Sequence, residues 1–136
     1  HSPLYGRAYK ALRPASFAEA EAEAEWYLPP EYEAEFGRRQ GEQMPPGLLL
    51  DTYHPTLRGG TGETGDWSAA AALAGQIPGL MLAGGLTVAN VAEAVRRVRP
   101  FAVDVASGVE AAPGRKDPQL VREFVRLARQ AESPAL

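Results

Sequence analysis

The chain has 136 residues, 45% hydrophobic and 23% charged, enough for one domain with a buried core. A net charge of −3 and the lack of a basic stripe exclude broad binding to nucleic acid or an anionic membrane. With no cysteine, disulfides, thiolate metal sites and a cysteine nucleophile or base are excluded within the chain, and His1 and His54 lack ligand spacing, so no metal is expected.

No run is apolar for long enough to span a bilayer, and the start lacks a basic stretch followed by an apolar one, so a soluble cytoplasmic protein is the expectation. In chain order, Ala8–Arg13 reads as a short strand closed by Pro14. Ser16 and Glu19 then form a capping box for a helix over 17–27, where alternating Ala and Glu mimic a strand period but favour helix. Trp26 and Tyr27 are expected to anchor that helix's end, and Pro29-Pro30 to stop it. Residues 29–47, rich in Pro, Gly and charge, read as a polar surface insertion with one short helix near Glu31–Arg39.

Leu48-Leu49-Leu50 predicts a buried strand ending at Asp51, and a glycine-rich loop follows through Gly65. Asp66 is placed to cap a helix over about Trp67–Ala74, stopped by Gly75 and Pro78. The next strand, Leu80–Ala83, runs into Gly84-Gly85, and Thr87 caps a helix starting directly behind them. Val88, Val91, Ala92, Val95 and Val98 give that helix a buried stripe, while Arg96, Arg97 and Arg99 complement its carboxyl end. Phe101–Val105 is the last strand, and Asp117-Pro118 opens a final helix with Leu120, Val121, Phe124, Val125 and Leu127 apolar. Trp67, Phe101 and Phe124 are expected in the core.

Strand and helix thus alternate four times in units of roughly 30 residues, which calls for a parallel sheet with right-handed crossovers and strands apolar on both faces. Half of a βα barrel and a small open α/β sheet both satisfy that repeat. A strand, two glycines and a helix start present backbone N–H groups and a positive dipole end to an anion. Gly84 and Gly85 form one such turn, and Ser107 with Gly108 after the last strand forms a second, so the adjoining pair is a candidate cradle for one phosphate. Gly59, Gly60, Thr61 and Gly62 match a nucleotide-binding loop only loosely, without the Lys-Ser/Thr ending, and read as a mobile loop bordering an active site. Asp104 is a candidate contact to a sugar hydroxyl, with a structural role equally open.

Five blocks taken together closely resemble the phosphoribosylanthranilate isomerase family. They are Leu48–Asp51, Gly59–Gly62 with Asp66-Trp67, Leu82–Leu86 with Asn90-Val91, Val103–Glu110, and Pro113-Gly114 with Lys116–Pro118. They follow the family's order and spacing, and Tyr9–Arg13 resembles its fifth strand. The resemblance implies the carboxyl-terminal half, strands five to eight, of a TIM-type (βα)8 barrel. It further implies an Amadori rearrangement of N-(5-phosphoribosyl)anthranilate to the 1-deoxyribulose 5-phosphate derivative in tryptophan biosynthesis, without cofactor or metal.

By the same resemblance Asp51 is the general acid that protonates the furanose ring oxygen, and Gly84, Gly85, Ser107 and Gly108 hold the 5-phosphate of this sugar-phosphate substrate. The family's base is a cysteine on the first strand, which this chain lacks. The expectation is therefore a fragment inactive alone, whose partner is the missing amino-terminal half of the barrel; its start at His1 rather than Met agrees. Two alternatives stay open: a non-enzymatic half-barrel that binds phosphate or self-associates, and a histidine-pathway aldose–ketose isomerase.

Overall fold

The computed structural model describes residues 9–28, 47–52 and 67–132. Its strands and helices alternate as β1 (Lys10–Leu12), α1 (Phe17–Tyr27), β2 (Leu48–Asp51), α2 (Trp67–Gln76), β3 (Leu80–Ala83), α3 (Val91–Val98) and β4 (Ala102–Val103). A 3-10 turn (Ser107–Val109), a small hairpin of β5 (Glu110–Ala112) and β6 (Arg115–Lys116), and α4 (Pro118–Glu132) complete the described order.

β1 to β4 form one parallel sheet in sequential order, with Leu12 opposite Leu50, Leu50 opposite Leu82, and Leu82 opposite Val103. An open doubly wound sheet reverses its strand order at a switch point, whereas a barrel adds each strand beside the last. Among the described strands there is no reversal, so the order is that of a barrel.

One sheet face carries the core. Leu12, Leu48, Leu50, Leu80 and Leu82 are buried there together with Ala20 and Ala24 of α1, Trp67, Ala70 and Leu73 of α2, Val91, Ala94, Val95 and Val98 of α3, and Phe124 of α4. The alternate positions Leu49, Met81 and Ala102 face the other way and are only half-buried, so the expectation of strands buried on both faces is corrected.

Local chemistry accounts for the element ends. Ser16 Oγ accepts from the Glu19 amide at 3.2 Å, and the Glu19 carboxylate accepts from the Ala15 amide at 2.7 Å, closing the expected capping box one residue further back. α1 stops at Leu28, which is extended ahead of Pro29. Trp26 does not anchor that end, being 81% exposed, and Tyr27 is held by the Lys10 ammonium 4.8 Å from its ring centroid. α2 runs through Gly75, since Pro78 and not the glycine ends it. Asp117 caps α4 as expected, its Oδ1 accepting from the amides of Gln119 and Leu120.

Three further expectations are corrected. β4 is shorter than the predicted last strand because its ladder closes with the Asp104 amide donating to Leu82 O at 2.8 Å. Phe101 is exposed rather than core, and Val121 and Val125 of α4 lie exposed, off the Phe124 stripe. The hairpin was not anticipated; Pro113-Gly114 makes its turn, with Gly114 at φ 77. The insertion at 29–46, its helix near Glu31–Arg39, the Asp66 cap and the Gly59–Gly62 loop lie outside the described residues.

Candidate active site

The parallel register sets one row of residues at the carboxyl ends of the strands. Asp51 pairs with Ala83, and Arg13 and Asp104 each follow the last paired residue of their own strand by one position. Alternation puts Asp51, Ala83 and Asp104 on the half-covered face, away from the helices, with the Asp51 and Asp104 backbones two strand spacings, roughly 10 Å, apart. This is the end of a parallel βα sheet where ligands bind.

Asp51 is the better enclosed of the two, its side chain 17% exposed. Arg13 reaches its Oδ2 with Nε at 2.9 Å and Nη2 at 2.7 Å, so the guanidinium fork closes on a single carboxylate oxygen. Sequence reasoning did not single out Arg13, because its role appears only once β1 lies beside β2. Thr52 behind the acid bonds Ala83 O through both its amide, at 2.9 Å, and its hydroxyl, at 3.1 Å, fixing the strand end that carries Asp51. Asp104 is exposed.

Beyond Ala83, Gly84 and Gly85 both adopt positive φ, 97 and 66, conformations open to glycine at little cost. Regular helix does not begin directly behind them, as the sequence had suggested, but at Val91 after a turn over Val88–Asn90. Thr87 does cap that turn: its hydroxyl accepts from the Ala89 amide at 3.2 Å, and Asn90 Oδ1 accepts from the Thr87 amide at 2.8 Å. Two amides at this end are therefore already paired. Asn90 Nδ2 also donates to Gly85 O at 3.0 Å, tying the glycine turn to the helix start.

The second turn lies against the first. A Cβ on Gly108 would sit 1.8 Å from Leu86 O and 3.2 Å from Thr87 Cα, so only glycine permits this approach. The structure thus brings together Gly84, Gly85, Ser107 and Gly108 as neighbouring turns at the end of the sheet that carries Asp51 and Asp104. Behind the second turn, Lys116 Nζ donates to Ala106 O and to Glu110 Oε1, both at 2.7 Å, and Glu110 Oε2 accepts from the Gly114 amide at 3.1 Å. The hydrogen bond from Lys116, then that from Gly114, holds the Glu110 carboxyl below the usual carboxylate value. Among the described residues there is no cluster of three or more metal-ligating side chains.

Residues 18–127 match the family model for N-(5'phosphoribosyl)anthranilate (PRA) isomerase. An N-(5'-phosphoribosyl)anthranilate isomerase from Trichlorobacter lovleyi is 56% identical over 85 residues, 62% of this chain and 42% of the relative. The crystal structure of the Thermotoga maritima phosphoribosyl anthranilate isomerase superposes with a TM-score of 0.66 at 34% identity, covering 93% of this chain and 54% of that one. A structure of the isomerase in complex with reduced 1-(o-carboxyphenylamino)-1-deoxyribulose 5-phosphate gives a TM-score of 0.61 at 31% identity, covering 90% of this chain and 48% of that one. The chain thus spans less than half the length of the curated relative it matches. From Ala18 in α1 to Leu127 in α4, strands β2 to β4, the strand end that carries Asp51 and the paired turns all lie within that match, and the chain belongs to the N-(5'-phosphoribosyl)anthranilate isomerase family.

Proposed function

We propose that this chain supplies the general acid and the phosphate grip for the isomerisation of N-(5'-phosphoribosyl)anthranilate to 1-(o-carboxyphenylamino)-1-deoxyribulose 5-phosphate, a step of tryptophan biosynthesis. The observation that carries this reading is the row at the strand ends: an enclosed carboxylate, Asp51, one strand away from a double-glycine turn. A relative complexed with the reduced product supports the same choice of ligand.

On this reading the turns at Gly84-Gly85 and Ser107-Gly108 bind the 5-phosphate, and Asp104 meets a sugar hydroxyl. Asp51 donates its proton to the ring oxygen as the C1–O bond breaks, giving an open-chain Schiff-base cation. Loss of the C2 proton to a base then gives an enolamine, which tautomerises to the ketone. The chain has no cysteine to match the family's base, so that base comes from outside these 136 residues.

The test uses the reduced product analogue and the substrate with the purified chain. The expected result is that the analogue binds, shifts the amides of Gly84, Gly85, Ser107 and Gly108, and binds Asp51→Asn within a few-fold as well, while the chain alone shows no turnover. Shifts confined to other turns would remove the phosphate assignment, and turnover by the chain alone would overturn the claim that its base lies elsewhere. Where turnover is restored by supplying the base-bearing half, Asp51→Asn should abolish it; retained turnover excludes Asp51 as the acid.

A further inference from the structure

We propose that Lys116 is a positioning residue for the phosphate-binding turn, with Glu110 holding it in place. This rests on the phosphate reading above and deepens it. Lys116 lies on β6, and its ammonium donates to Ala106 O and to Glu110 Oε1. It therefore meets the loop at the residue immediately before Ser107, through a carbonyl.

In a planar trans peptide the Ser107 N–H points opposite the Ala106 carbonyl, so holding that carbonyl sets the direction of this amide. Ala106 enters the turn at φ −113 and ψ −90, outside the regular helical and strand regions. The charge-assisted bond to its carbonyl holds that orientation. Glu110 is fixed in turn by the Gly114 amide within the hairpin, and the Asp117 amide donates to Val109 O at 2.8 Å, closing the segment behind the turn. The hairpin that sequence reasoning overlooked thus acts as the frame on which the second phosphate turn is held.

Positioning and simple charge make opposite predictions for one variant. If Lys116 acted only through its field, Glu110→Gln would remove a nearby negative charge and tighten phosphate binding. If the pair positions the turn, Glu110→Gln loosens Lys116 and weakens it. The experiment is titration of the full chain with inorganic phosphate, followed by amide shifts in wild type, Lys116→Met, Glu110→Gln, the double variant and Lys116→Arg.

The expected result is roughly tenfold weaker binding for Lys116→Met, from loss of the charge-assisted hydrogen bond to Ala106 O. Glu110→Gln should weaken binding several-fold, the double variant no further than Lys116→Met, and Lys116→Arg should recover most of the affinity. Shifts at Ala106–Gly108 should accompany each loss while the strand amides stay in place. Unchanged affinity in Lys116→Met, or tighter binding in Glu110→Gln, overturns the proposal while leaving the phosphate reading intact. Wild type that fails to shift Gly84, Gly85, Ser107 and Gly108 overturns both. Should Lys116→Met not fold, Glu110→Gln and Lys116→Arg still decide between the two signs.

Discussion

Single atoms decide most at the turns. Gly108→Ala forces a methyl group into Leu86 O, and since both partners are backbone the clash is relieved only by parting the two turns. Such overpacking costs about 1–3 kcal/mol, so Gly108→Ala should lower the denaturation midpoint and weaken phosphate binding together. Arg99 holds the C-cap of α3 with φ 52, where L side chains are strained. Arg99→Gly should stabilise the chain by about 0.5–1 kcal/mol, the relief exceeding the extra freedom of the unfolded glycine, as read by urea denaturation. The placement of Gly84, Gly85 and Asp51 at strand ends was legible in the sequence because each closes an apolar run. Arg13 and Lys116 were not. Arg13 acts on Asp51, 38 residues away, and Lys116 acts across the hairpin, and a lone cation carries no sign of its partner.

At the scale of elements, caps were legible and lengths were not. Ser16-Glu19 and Asp117 cap where the sequence places them, and Thr87 caps the turn ahead of its helix, because a cap is a local bargain between a side-chain oxygen and nearby amides. The length of β4 and the existence of the hairpin escaped because pairing is fixed by a neighbour, although Pro113-Gly114 was a readable turn signal. The hairpin also carries a pH dependence. Glu110 has its carboxyl value lowered in the folded chain, so its contribution is present above the ordinary carboxylate value and is lost as pH falls through the lowered one. The Gly114 and Lys116 resonances should therefore move together as pH falls below the ordinary carboxylate value, and Glu110→Gln should abolish that transition.

For the whole molecule, the repeat of strand and helix gave the parallel sheet, and the sequential strand order then favoured the barrel over the open sheet. What the repeat misjudged was the far side of the sheet. A run such as Leu48-Leu49-Leu50 looks uniformly apolar, yet only its alternate members are packed under helices. Truncating a fully packed leucine costs about 2–5 kcal/mol, so Leu82→Ala should reduce stability by that amount. Met81→Ala, one residue away on the half-covered side, should cost less than half as much, a comparison that urea melts of both variants measure directly. The tight seat of Gly108 on the Leu86 carbonyl has a mechanical consequence as well. Two successive βα units meet there without an intervening side chain, so neither rim can swing out while the other stays still. Breathing at the mouth of the sheet is accordingly a joint event, with relaxation rates at residues 84–87 and 106–108 rising and falling in step.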